Sequence, residues 1–280
     1  MISPPKRTAF ANSRSGCIFQ ISAATTLGAP LAERPSSAPA CLQERGLLVS
    51  SRPNGFLRGL STRDQAALNA VATVRPFAQG EVLAEIGTPM DRVFFINSGM
   101  ISVIVPLRDG SAIEAGVMGR GDVLGASAAF GCERHVNTAV VQMAGSASVV
   151  SAIDLKKAAE ASSDIRRGLA DQVQLLLAQA QQTAACNTRH RISQRLGTWL
   201  LRISDRVQQD ELQLTQEYLS QMLGVQRASV SLAAAQLQDE GIIQYRRGRI
   251  RLTDRKRLEH VACECYSALR KQYDRSVQTP

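Results

Sequence analysis

The chain has 280 residues, enough for two domains of ordinary size, and 44% of them are hydrophobic. Its 33 Lys and Arg against 24 Asp and Glu leave a net charge of +9 and a pI near 9.7, which favours an anionic partner. No segment is apolar for long enough to cross a membrane, and six cysteines without a Cys-x-x-Cys pair point to free thiols in a reducing cytoplasm rather than to a disulfide framework.

The first fifty residues are dominated by Pro, Ser, Ala, Gly and Arg and have no sustained periodicity, so residues 1–50 are expected to be a disordered extension without a secretory h-region. Leu57, Leu60, Ala67, Leu68 and Val71 suit a short amphipathic helix, with Ser61 and Asp64 making a cap-like start. After Pro76 the texture changes. Gly80-Glu81-Val82-Leu83, Val93–Ile96, Ser98–Val105, Ala112–Met118, Thr138–Met143 and Ala147–Ile153 read as short strands between glycine turns, with Asp109-Gly110 a hairpin signal. Many short strands of this kind predict a compact antiparallel barrel or roll.

Asp164 to Cys186 has no proline and no glycine after Gly168. Leu169, Val173, Leu176, Ala180 and Thr183 alternate at spacings of four and three, a coiled-coil-like seam of about two heptads that would form a dimer axis. Leu175 and Leu177 lie off that seam and are expected to pack on the roll. The plainer alternative is a core helix of a single chain. A second helix over about Ile192 to Val207 carries Leu196, Trp199, Leu200 and Ile203 as a core face.

From Leu214 to Thr253 the sequence predicts a helix-turn-helix followed by a basic hairpin. Thr215 can cap a helix from Gln216 to about Leu223, Gly224 supplies the turn, and Gln226-Arg227-Ala228-Ser229-Val230-Ser231 opens a second helix that ends at Gly241. Val230, Ala234 and Leu237 share its core face. Ile243 to Leu252 then alternates about a glycine turn, with Ile243, Tyr245, Ile250 and Leu252 inward and Gln244, Arg246, Arg249 and Arg251 outward. Two helices joined by a glycine-containing turn, the second polar at its start, have the geometry that enters a DNA major groove, and an arginine-rich wing suits phosphates. Charge agrees with this placement: residues 51–186 carry 12 basic and 12 acidic side chains, and residues 187–280 carry 16 and 10.

Cys263 and Cys265 lie two apart in a stretch of helical texture, which puts them on different faces, and His135, His190 and His260 are far apart in sequence. No metal site and no cofactor is expected from these spacings. No nucleophile elbow, phosphate loop or pair of catalytic acids is present, so an enzyme is not expected.

The arrangement resembles the Crp/Fnr transcription regulators over about Asn54 to Asp274. The residues that carry the resemblance are Gly80-Glu81-Val82-Leu83 with Gly87, Val93-Phe94-Phe95-Ile96 with Ser98-Gly99, and Leu214-Thr215-Gln216-Glu217-Tyr218-Leu219 through Leu223-Gly224-Val225-Gln226-Arg227-Ala228-Ser229-Val230. It implies an α+β chain: an antiparallel, cyclic-nucleotide-binding-like β-roll at 51–160, a long dimerisation helix at 161–187, and a C-terminal winged helix-turn-helix DNA-binding domain at 188–280. It further implies a cytoplasmic homodimer that reads an inverted repeat in double-stranded DNA, with RNA polymerase as a further partner and no membrane attachment. Arg227 aligns with a base-contacting arginine of the family, and Gln226 and Ser231 are the other base-contacting candidates. Thr215, Ser229, Arg246, Arg247 and Arg249 are the phosphate-contacting candidates.

One part departs from the family. Members that bind cyclic AMP hold the ribose with a glutamate just after a glycine, and the phosphate with an arginine before Ser or Thr. Here Gly121-Asp122-Val123-Leu124-Gly125 is followed by Ala126 and Ser127, and the arginine position is Asn137, ahead of Thr138. The guanidinium contact to a cyclic phosphate is missing, so the cassette reads as degenerate and no cyclic AMP is expected to bind. A rival reading is a ligand-binding regulatory module that acts through protein–protein contacts.

Overall fold

The computed structural model describes residues 55–109 and 111–278; the expected disordered extension at 1–50 lies outside the described residues. Two short helices open the described chain, α1 (Gly55–Arg58) and α2 (Thr62–Val71). Ser61 caps α2 by accepting from the Asp64 amide, as its sequence position suggests.

Six strands make the roll: β1 (Thr73–Phe77), β2 (Val82–Ala84), β3 (Arg92–Pro106), β4 (Ala112–Met118), β5 (Val123–Leu124) and β6 (Thr138–Ser151). The order is β1-β6-β3-β4, with β2 added to β6 and β5 to β3. The segments expected as separate strands on either side of Asn97 are one strand, β3, and those on either side of Gly145 are one strand, β6. The reason is a shared bend. The β3–β6 register shifts repeatedly between Ile96 and Ile101, so the two long strands fold over together without losing their pairing. Gly99 sits at φ +88°, and a Cβ there would come within 2.6 Å of the Met143 carbonyl oxygen; one on Gly145 would come within 2.2 Å of the Ser98 carbonyl oxygen. Only glycine allows this approach.

Ala152 and Ile153, expected at the end of a strand, instead begin a helix, α3 (Ala152–Ala161), because the Ser151 side chain accepts from the Asp154 amide and starts it. The long helix α4 (Ser163–Arg189) follows after a cap by Ser162. The Ser162 hydroxyl also donates to Asp64 at 2.9 Å, which ties the starts of α2 and α4 together.

The seam expected on α4 is displaced. Leu169 is fully buried with Val123, Leu155 and Ile165 in the core between the roll and the helices, so it is not available to a partner. Leu176 packs on the second core cluster of the roll. Between them, Gln172 and Gln179 turn inward and accept from the amides of Val123 and Val117, each at 3.1 Å. These bonds satisfy backbone donors of the roll that would otherwise be buried and unpaired. Leu177, expected on the roll, is 48% exposed and stands with Val173 at 40% on the outward face. Two polar residues on the buried face hide its true phase from a hydrophobic pattern.

Helix α5 (Ile192–Val207) has the expected bounds, and Leu196, Trp199, Leu200 and Ile203 are all buried. Beyond it come β7 (Glu211–Gln213), α6 (Gln216–Leu223), α7 (Arg227–Asp239), β8 (Ile243–Arg246), β9 (Arg249–Leu252), α8 (Arg255–Val261) and α9 (Cys265–Gln278). The small sheet has the order β7-β9-β8. One core cluster runs through α5, α6, α7 and this sheet and takes in Met100 and Val117 of the roll. Among the described residues no helix is long and apolar enough to cross a membrane.

Candidate nucleic-acid interface

The start of α6 is set by Thr215, whose side chain accepts from the Tyr218 amide at 3.1 Å. Its end is set by Gly224 at φ +60°, where the left-handed backbone lets the Gly224 amide donate to Gln221 and the Val225 amide to Ser220. The remaining Leu223 carbonyl is met by the buried guanidinium of Arg195 from α5. Helix α7 starts after Gln226. Val230, Ala234 and Leu237 are buried on its inner face, as their spacing predicts.

Gln226 and Arg227 lie at the solvent-exposed amino-terminal end of α7. Ser231 is half-buried, and its hydroxyl lies 2.9 Å from Gln216 Oε1 and 3.0 Å from the Arg227 carbonyl oxygen. It holds α6 against α7 and is less free for a base than its sequence position suggests. Leu232 is 74% exposed on the same helix, an apolar side chain that pattern reading passed over. Ser229 is half-buried near the helix start.

The wing folds as its alternation predicts. Ile243, Ile250 and Leu252 are buried and Tyr245 is half-buried, while Gln244, Arg246, Arg249 and Arg251 face solvent. Arg247 at φ +50° and Gly248 at φ +74° form the turn, both left-handed, the geometry that matches the twist of a two-residue hairpin. The Tyr245 amide donates to Gln238 Oε1 at 2.8 Å, which fixes the wing against the end of α7. The arginines divide into two sets. Arg249 and Arg251 pair with Glu211 at 3.7 and 2.8 Å, and these bonds hold the Glu211 carboxyl below its ordinary range. Among the described residues, Arg227, Arg246 and Arg247 make no such pair.

A buried polar junction joins this unit to the roll. Glu114 of β4 accepts from Trp199 Nε1 at 2.8 Å and from the Ser102 hydroxyl at 2.7 Å, and the Tyr218 hydroxyl lies 3.0 Å from that of Ser102. Burial pushes the Glu114 carboxyl up to about 7, against the pull of Arg202, Ser102 and Trp199. Beside it, Arg206 pairs with the buried Asp122 at 3.3 Å and stacks 4.0 Å from the centre of the Tyr273 ring.

In the roll, Ala126 and Ser127 start a 3-10 turn (Ala126–Phe130), and Ala126 is buried. Asn137 is half-buried just before β6. Arg134 is exposed and donates to the Gly87 carbonyl at 2.6 Å. The expectation that Cys263 and Cys265 share one helix and point apart fails, because Cys263 precedes α9 in the turn after α8.

A roll joined through a long helix to a winged helix-turn-helix defines a class of regulator. A cyclic nucleotide-binding domain model matches residues 74–162, and a Crp-like helix-turn-helix domain model matches residues 194–261. Together they cover more than half of the chain, which belongs to the Crp/Fnr family of transcription regulators. The chain is similar to the solved structure of FixK2 from Bradyrhizobium japonicum, at 24% identity and TM-score 0.62, covering 69% of this chain and 98% of that one. A Crp/Fnr-family regulator from Thermus thermophilus matches at 23% identity and TM-score 0.55, covering 68% and 98%. The c-di-GMP responsive global regulator CLP of Xanthomonas campestris matches at 16% identity and TM-score 0.59, covering 69% and 99%. No curated protein matches the chain. The family is one of transcription regulators.

Proposed function

We propose that the protein is a DNA-binding regulator that reads an inverted repeat as a homodimer and needs no cyclic AMP. The observation that carries the first part is the exposed amino-terminal end of α7, with Gln226 and Arg227, together with the exposed Arg246 and Arg247 of the wing, which make no ion pair among the described residues. Arg227 reads a base, in the bidentate manner a guanidinium offers to guanine, and Leu232 meets a thymine methyl deeper in the groove. Arg246 and Arg247 contact phosphate, supported by Thr215, Ser229 and, when it leaves Glu211, Arg249. Gln226 is a second base contact; Ser231 contributes chiefly by holding α6 to α7.

Dimerisation uses the outward face of α4, where Val173 and Leu177 are exposed and Ala180 and Thr183 continue the stripe. A two-fold pair of recognition helices then spans about 34 Å, one turn of DNA.

The roll supports independence from cyclic AMP in two ways. Its cassette has neither the carboxylate for a ribose nor the guanidinium for a phosphate, since Arg134 is turned to the Gly87 carbonyl. The face towards α4 is filled by the chain's own Leu169, Gln172, Leu176 and Gln179. A phosphate placed there without a cationic partner is costly to desolvate. Selection of random DNA, followed by mobility shift with and without cyclic AMP, tests the reading. An inverted repeat bound equally in both conditions supports it; binding without sequence preference, or only with the nucleotide, refutes it.

A further inference from the structure

Four side chains outside the interface come together at the far end of α4. Cys186 and His190 stand one helical turn apart, on one face of the helix end. Cys263 and Cys265 flank the corner between α8 and α9, 77 residues on from Cys186 in the case of Cys263. One donor atom from each, three sulfurs and a ring nitrogen, lie within 4.8 Å of one another. Cys186 Sγ is 3.5 Å from Cys263 Sγ, and Cys265 Sγ is 3.5 Å from His190 Nδ1. A tetrahedral zinc with bonds of about 2.3 Å to sulfur and about 2.0 Å to nitrogen has edges of about 3.5–3.8 Å, so the cluster needs only small side-chain adjustments to close on one ion.

The surroundings suit thiolates and a ligating histidine. His190 presents Nδ1 to the sulfurs while its Nε2 lies 3.2 Å from Glu264 Oε1, the carboxylate–histidine pairing that orients a metal-bound ring. Gln182 Nε2 donates to Cys265 Sγ at 3.0 Å, and the Thr198 hydroxyl lies 3.0 Å from Cys263 Sγ. Arg195 is buried and lines the same cavity as Cys186 and Cys265, and its Nε has no hydrogen-bond partner among the described residues. Three thiolates and a neutral imidazole around a divalent cation leave one net negative charge, which this guanidinium offsets.

We propose that Cys186, His190, Cys263 and Cys265 bind one zinc ion in a closed, four-coordinate structural site. Soft sulfur donors with one imidazole select zinc over magnesium or calcium, and four protein ligands leave no open position for catalysis. The thiols release their protons to solvent on binding. The ion fastens the end of the long helix to the corner that follows the wing, and so fixes how the winged helix sits on its helical support.

Full-length protein purified under reducing conditions without chelator should contain about one zinc per chain by elemental analysis. Cobalt exchanged into it should give the intense visible bands of a tetrahedral thiolate site. Cys265→Ser and His190→Ala should lose the metal, while Cys132→Ser, an exposed cysteine outside the cluster, should keep it. If the ligand variants do not fold, the cobalt spectrum of the wild-type protein decides. Failure to take up either metal, an octahedral cobalt spectrum, a Cys186–Cys263 disulfide in the reduced preparation, or the absorption of an iron–sulfur cluster overturns the proposal.

Discussion

Glu114→Gln should abolish a loss of stability that the wild-type protein undergoes as pH rises from 4.5 to 7. Glu114 faces Ser102 from β3, Trp199 and Arg202 from α5, and Tyr218 from α6, and Gln179 of α4 holds Arg202 at 2.7 Å. Burial raises its carboxyl from 4.5 to about 7, so between those values the folded protein keeps a proton that the unfolded chain has released. The sign follows: stability from this group is fully present below pH 4.5, falls as pH rises, and is lost above about 7. The gap corresponds to on the order of 3 kcal/mol, a large part of the stability of an ordinary domain. Glutamine imitates the protonated form, accepting from Trp199 with its oxygen and donating to the Ser102 oxygen with its amide. The variant should therefore be the more stable protein at pH 8 and equal to the wild type near pH 4.5. Urea unfolding at intervals from pH 4.5 to 8 measures this, and Trp199, the one tryptophan of the chain, reports on the junction through its fluorescence. Other titrating groups, His135 among them, act on both proteins and cancel in the difference. Parallel stability curves, or a variant less stable than the wild type at pH 8, would show that Glu114 is ionised and well paired, and would refute the reasoning.

Arg227→Ala should relax preference at one base of each half-site by on the order of 1–3 kcal/mol, whereas Arg247→Ala should weaken binding evenly across sequences and reduce the salt slope by about one; measured affinities on a panel of operators separate the two. Leu177→Asp should shift the protein from dimer to monomer in analytical ultracentrifugation while each chain stays folded by circular dichroism, since the side chain is 48% exposed in the single chain. Leu169→Ala should instead lower stability by about 2–5 kcal/mol, because it empties part of the core. Calorimetric titration with cyclic AMP should detect no binding tighter than about millimolar; micromolar binding that also raises DNA affinity would point to Arg134 as a phosphate partner.

The helix-turn-helix and wing were legible in the sequence because their determinants are local. Thr215, Gly224 and the alternation from Ile243 to Leu252 each act within a few residues, and the observed ends of α6 and the strands of the wing fall where those signals place them. The proposal that cyclic AMP is not needed also starts from the sequence, from the residue types at Ala126 and Asn137. Tertiary structure decided the rest. Strands β3 and β6 are continuous because each bends where the other does, at Gly99 and Gly145, and a bend shared across a ladder leaves no mark in either strand alone. The phase of α4 depends on Gln172 and Gln179 satisfying amides of the roll about 50–60 residues away in sequence, so polar residues occupy the face that a hydrophobic pattern assigns outward. The same holds for Cys186, His190, Cys263 and Cys265. Their spacing along the chain matches no ligand pattern, and only the packing of α9 against α4 sets the four donors around a common point.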